Sequence, residues 1–318
     1  MRKPFVVILI AMFALGALGI ADAKSSKPRF DKPEAVLKWI NGYRETPEPE
    51  RLPDAVHAMA ELGLFRELEQ AGVYVGFMAG ALSAEPARAA ELLARMFPLA
   101  PEHQVFLVRA IAYSDLPEWR DLLIAFAERM PARKVLIEHY LYGDGKTLFN
   151  LPLDESAFVL DAHWGYYFGS GSRKALARIV TALEWVEEKD DVERLTFGAM
   201  SKWTLASNAT RDEVLKAALT DELETASDVS RRHLRDVIFA AETFETHKIR
   251  KAAITAIDEL KAKGPAYKRD YAWWGQTGQT VLALGCVAAG AMGQFQLGIP
   301  CVIGGAVSTA ALKYLAPE

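Results

Sequence analysis

Six histidines, two cysteines and one glycine-rich basic run are the residues of this 318-residue chain with obvious chemistry to offer. Zinc on a helix takes two ligands one turn apart and a third from elsewhere, as in H-E-x-x-H. His57, His103, His139, His163, His233 and His247 include no pair at that spacing, so neither a metal nor another cofactor is expected. Gly169-Ser170-Gly171-Ser172-Arg173-Lys174 could turn the N–H groups of a helix start toward an anion. It lacks the Walker spacing, and Ser172 as an N-cap after a glycine turn accounts for the same letters. Glu155-Ser156 invites comparison with the general acid of murein-cleaving enzymes, which needs an apolar pocket to raise its pKa. The Gly-Leu-Met-Gln-type motif that should follow is missing, and a carboxylate in a helix's first turn is favoured by the helix dipole alone. No G-x-S-x-G elbow occurs, and both cysteines lie in an apolar tail that holds no histidine. His163 with Trp164, Tyr166 and Tyr167 has two readings: an aromatic lining for a ligand groove, or a packed helix end where imidazole and hydroxyls find partners. With no catalytic set, a non-enzymatic chain is expected.

These residues must be held by something, and helical punctuation dominates the chain. Pro53, Pro86, Pro101, Pro117 and Pro131 stand where first helical turns would begin, a place where a missing N–H costs nothing. The last four are 15, 16 and 14 residues apart, which predicts three-turn helices joined by tight connections. Apolar residues between them recur at helical spacing. Ala89, Leu92, Leu93, Met96 and Phe97 form one stripe; Trp119, Leu122, Leu123, Phe126 and Met130 form the next. Leu176, Ile179, Val180 and Leu183 repeat the rule, as do Ile249, Ala253, Ile257 and Leu260 in a longer charged helix. Asp115-x-x-Glu118 and Thr210-x-x-Glu213 read as capping boxes. No segment alternates with period two, so the fold class is all-α: an array of short antiparallel helical hairpins, as a solenoid or a bundle. Tetratricopeptide signature residues are absent, so any likeness to such repeats is one of rhythm.

The ends of the chain speak to compartment. Arg2 and Lys3, an apolar run over 5–21, and Ala21-Asp22-Ala23 follow the order of a secretory signal. Cleavage is expected after Ala23, giving residues 1–23 as signal peptide and 24–30 as a flexible mature N-terminus; a retained anchor is the alternative. Export through such a signal places the chain in the periplasm or envelope. A net charge of −4 without a basic block argues against nucleic acid as a partner. Half the residues are hydrophobic and a quarter charged, which suits a folded rather than a disordered chain. Gly143-Asp144-Gly145-Lys146 opens a loop reaching Pro152, so the body divides into a hairpin array over 31–150 and a second helical region over 151–265, after the early linker Thr46-Pro47-Glu48-Pro49-Glu50.

The stretch Trp164-Gly165-Tyr166-Tyr167-Phe168-Gly169-Ser170-Gly171, together with Ala206-Ser207-Asn208-Ala209-Thr210-Arg211-Asp212 and the Gly/Ala-rich end, resembles a family of uncharacterised exported helical bacterial proteins. That resemblance implies architecture and export and carries no activity.

Residues 266–318 are predicted as an apolar Gly/Ala-rich helical hairpin, turning at Gly293-Gln294-Phe295-Gln296. Lys313 is the sole charge over 273–315. Gly285, Ala289 and Gly293 make a small-residue row on one arm, and Gly304 with Ser308 and Cys301 with Gly305 make rows on the other, so the arms can approach closely. Cys286 and Cys301 stand at equal height in such a hairpin, and an oxidising compartment would join them; Pro300 could spoil the geometry. Each arm is near the ~20 residues of a membrane span. Weak hydrophobicity and the flanking Lys261, Lys263, Lys268 and Arg269 argue the other way. The expected role is an envelope scaffold that binds protein partners, with the hairpin as anchor or assembly element and a possible membrane contact through 273–315. A membrane-inserting, pore-like protein and an envelope enzyme with a dispersed site are the alternatives.

Overall fold

The computed structural model describes residues 29–262. The expected signal peptide with Ala21 and Ala23, and the tail with Cys286, Cys301, Gly285, Ala289, Gly293, Gly304, Gly305 and Ser308, lie outside the described residues. Among the described residues there are thirteen α-helices and no strand. The first seven are α1 (Pro33–Tyr43), α2 (Leu52–Glu61), α3 (Gly72–Ala84), α4 (Ala89–Arg95), α5 (Gln104–Tyr113), α6 (Trp119–Ala127) and α7 (Lys134–Tyr142). The rest are α8 (Ala157–Ser170), α9 (Arg173–Thr181), α10 (Val192–Ala209), α11 (Glu213–Glu222), α12 (Asp228–Glu242) and α13 (Thr246–Ala262).

Proline sets the starts as the spacing predicts. Single 3-10 turns at Pro86–Arg88, Pro101–His103 and Pro131–Arg133 feed directly into α4, α5 and α7. The four helices α4 to α7 begin 15 residues apart, at Ala89, Gln104, Trp119 and Lys134. Their stripes point inward: Leu92, Leu93, Met96, Leu123 and Met130 are fully buried. Each helix thereby removes one apolar face from water, the main favourable term in packing such short elements.

Helices α3 and α8 make the most extensive pairing among the described residues. Neither has a polar face to give to water; every residue from Gly72 to Leu82 is buried, and so is every residue from Phe158 to Gly169. A helix apolar all round belongs at the centre of a fold. Glycine lets the two backbones touch. A methyl group on Gly72 would stand 2.5 Å from the Phe158 carbonyl oxygen, on Gly76 1.9 Å from that of Ala162, and on Gly80 2.4 Å from that of Tyr166. Gly165 and Gly169 face back in the same way toward Val73 and Phe77. Contacts climb both helices together, so α3 and α8 run parallel. Parallel neighbours need a long connection, and α4 to α7 supply it. The closest partners in the fold are thus remote in sequence, unlike a solenoid in which each repeat meets only its neighbours.

Around this pair, α5 packs on α3, while α1, α9 and the 3-10 turn Leu148–Asn150 pack on α8. One hydrophobic core runs from Val36 to Ala241, so residues 143–152 connect two parts of a common interior. A smaller cluster of Leu195, Ala199, Ala253, Ile257 and Leu260 fastens α13 to α10.

Neither expected capping box forms. Asp115 takes a left-handed φ of 56°, and α6 starts at Trp119, after Glu118. The Asp115 carboxylate instead meets the Lys174 ammonium at 2.7 Å. Thr210 spends its hydroxyl on the Ala206 carbonyl inside the previous helix, and Asp212 caps α11 by accepting from the Leu215 N–H at 2.8 Å. A carboxylate two residues nearer the helix displaced the threonine. Ser172 does cap α9, accepting from the Ala175 N–H, and Gly171 closes α8 in the left-handed conformation with φ 70°.

Candidate functional site

His163, Trp164, Tyr166 and Tyr167 sit on α8, where successive side chains leave the axis at about 100° intervals. All four are at most 3% exposed. They divide into two groups. His163 and Tyr166 share the Phe149 ring, at centroid distances of 5.4 and 5.1 Å. Trp164 and Tyr167 meet edge to face at 6.1 Å on the other side, with Phe168 stacked on Trp164 at 5.6 Å.

Most polar atoms of this set have work inside the fold. The Trp164 indole N–H donates to the Thr204 hydroxyl on α10 at 3.1 Å. The Tyr166 hydroxyl lies 2.8 Å from that of Ser83 and donates to the Ser114 carbonyl at 2.9 Å, tying α8 to the ends of α3 and α5. Burial pushes the phenols of Tyr166 and Tyr167 up to about 12, so both are neutral at ordinary pH. Over the Tyr167 ring, 5.4 Å from its centroid, lies the Arg44 guanidinium at the end of α1. Arg44 also pairs closely with Asp212, the cap of α11, in a largely buried ion pair. That pair fastens two distant elements over the Gly171 turn, against which the Arg44 stem packs.

His163 is the exception. It is fully buried, and neither ring nitrogen has a hydrogen-bond partner among the described residues. Burial lowers its pKa to about 3, with the positive charges of Arg178 and Lys174 acting in the same direction, so the imidazole is neutral. Those cations are themselves fixed. Arg178 donates to the Leu151 carbonyl at 2.8 Å; Lys174 stands 3.9 Å from the centre of the Phe149 ring and holds Asp115.

The glycine-serine run resolves into the Gly171 turn and the Ser172 cap, with Arg173 pairing with Asp221 and Lys174 with Asp115. Glu155 is exposed and precedes α8 rather than sitting in its first turn, so it lacks the apolar pocket a general acid requires. Ser156 beside it is buried. Of the remaining histidines, His57 and His103 are half-buried, His139 faces Asp144 at 3.3 Å, and His247 is exposed. Among the described residues no three His, Cys, Asp or Glu side chains gather to hold a metal ion.

One polar network escapes the sequence pattern. On α12, His233 Nδ1 lies 3.1 Å from the Lys202 ammonium of α10, which is 2.7 Å from Asp236. His233 Nε2 is 3.2 Å from Glu187, at ion-pair distance but out of line for a hydrogen bond. Only His233 and Asp236, one turn apart, were visible as neighbours; Lys202 and Glu187 arrive from other elements. Burial and Lys202 lower the His233 pKa, so Lys202 donates to a neutral ring. This network pins α10 to α12 and to the turn before α10.

The chain matches no protein-family model, no curated protein and no solved structure. Among the described residues no helix is long and apolar enough to cross a membrane.

Proposed function

We propose that the chain is an exported envelope protein whose helical body serves as a scaffold for protein partners, with residues 266–318 as its anchor or assembly element. The observation that carries this reading is a contrast within one chain. The body already closes a core of its own from Val36 to Ala241, yet residues 273–315 follow it with Lys313 as their only charge. So apolar a stretch must bury itself against something, and a body with a finished interior offers it little room. The side chains on α8 that could have done chemistry support a non-enzymatic role, since the two tyrosines and the tryptophan serve packing and cross-helix bonds.

A second reading, insertion into the membrane or pore-like oligomerisation, is favoured by the small-residue row Gly285, Ala289 and Gly293, a spacing that suits close helix pairing in lipid. Fractionation separates the two. Carbonate-resistant pelleting of the full chain, lost when the chain ends at Gly275, supports insertion. Extraction of both forms, with crosslinked protein partners captured by the full chain and still by the chain that ends at Gly275, supports the scaffold. A purified chain that cleaves murein, and loses that activity on substitution of one carboxylate, overturns both.

A further inference from the structure

We propose that His163 is an acid-triggered latch: its protonation releases α9 and the turn at 148–151 from α8. The imidazole lies wholly inside the protein against the Phe149 ring, on the helix that α9 packs against. Neither ring nitrogen has a protein partner that would welcome a second proton. Charged groups on the elements packed against α8 are Glu34 and Lys38 on α1, Glu69 near the start of α3, Glu193, Arg194 and Lys202 on α10, and Arg173, Lys174 and Arg178 on α9; Asp161 lies on α8 itself. The charges that bear on His163 are Arg178 and Lys174, both cations. Neither can turn away without loss, because each is committed to holding the junction: Arg178 to the Leu151 carbonyl, Lys174 to Asp115 and the Phe149 face. A proton arriving on His163 therefore sets a buried cation against two of the contacts that fasten α9.

The sign follows from the two protonation equilibria. In the closed junction the ring titrates at about 3, against 6.5 when it is open to water. Closure is therefore fully favoured above about pH 6.5 and loses ground as pH falls toward 3. Between pH 7.5 and pH 5 the opening equilibrium should rise about thirty-fold through this one group. Other acid-sensitive groups exist, and His233, whose pKa burial also lowers, is the natural control on a different junction.

Hydrogen exchange of the full chain, corrected for intrinsic rates, tests the latch at pH 7.5 and pH 5. Opening of segments 146–155 and 172–182 should increase about thirty-fold in the wild type and in His233→Gln, and less than about three-fold in His163→Leu. Equal acceleration in His163→Leu overturns the proposal. Should that variant fail to fold, exchange of the His163 ring C–H in the wild type decides. A ring pKa well below 5 in the folded protein supports the latch, and one above 6 overturns it.

Discussion

Alanine at Gly76 is the sharpest perturbation the structure offers, because it adds one methyl group and changes nothing else. That methyl carbon would lie 1.9 Å from the Ala162 carbonyl oxygen, where an ordinary contact is about 3.4 Å. Helices α3 and α8 must therefore part by about 1.5 Å at this level, and gaps of 0.5 to 1 Å already forfeit a quarter to a half of a dispersion contact. Overpacking of a dense core costs about 1–3 kcal/mol, and a seam walled by buried residues on both helices belongs at or above the top of that range. Gly42→Ala is the matched control: it lies within α1, nothing stands within 4 Å of the added carbon, and alanine there should stabilise by up to about 1 kcal/mol. Urea unfolding followed by far-ultraviolet circular dichroism gives both values, provided the slope of the transition is unchanged. Gly165→Ala, from the facing helix, should be as damaging alone and add little to Gly76→Ala, since parted helices have room for a second methyl. If Gly76→Ala stays within about 0.5 kcal/mol of wild type while the control behaves as stated, backbone contact between α3 and α8 is not what holds this core.

Two further outcomes follow from the caps and phenols. Asp212→Asn keeps the acceptor for the Leu215 N–H and removes the charge facing Arg44, whereas Asp212→Ala removes both; the second should cost about 1 kcal/mol more, and equal melting temperatures would deny Asp212 its capping role. Tyr166 and Tyr167, pushed up to about 12 by burial, favour the fold fully below pH 10 and withdraw about 2 kcal/mol each as pH rises from 10 to 12. The phenolate absorbance that is lost in the Tyr166→Phe/Tyr167→Phe variant should therefore appear in the wild type with the loss of helical signal, and its appearance while the helical signal is intact would contradict the burial.

Local features were legible in the sequence and distant ones were not. Prolines at 86, 101 and 131 and the stripes between them describe the starts and buried faces of α4 to α7, because helix initiation and amphipathicity are properties of a few adjacent residues. Ser172 was equally readable as a cap. The capping boxes at Asp115 and Thr210 fail because other groups made better offers: Lys174 for the first, the Asp212 position for the second. The central pair was hidden for a different reason. Gly72, Gly76 and Gly80 have the same four-residue rhythm as Gly285, Ala289 and Gly293, but a row of small residues does not name its partner. Which face of α8 it would meet depends on everything between. The four residues offered as a groove lining were legible only as an aromatic cluster; their burial on α8, with His163 near cations supplied by α9, required the fold.

Because α3 ends at Ala84 and its parallel companion does not begin until Ala157, the centre of this protein is completed late. A chain emerging amino end first must carry an uncharged thirteen-residue helix with its α8-facing side open while four more helices are made and until the one that seals it arrives. A fragment stopping short of residue 157 can lay α5 on one side of α3 but leaves the face that α8 seals without its cover. Exposed nascent segments of this kind are where helper proteins bind and where folding of the whole waits on its slowest contact.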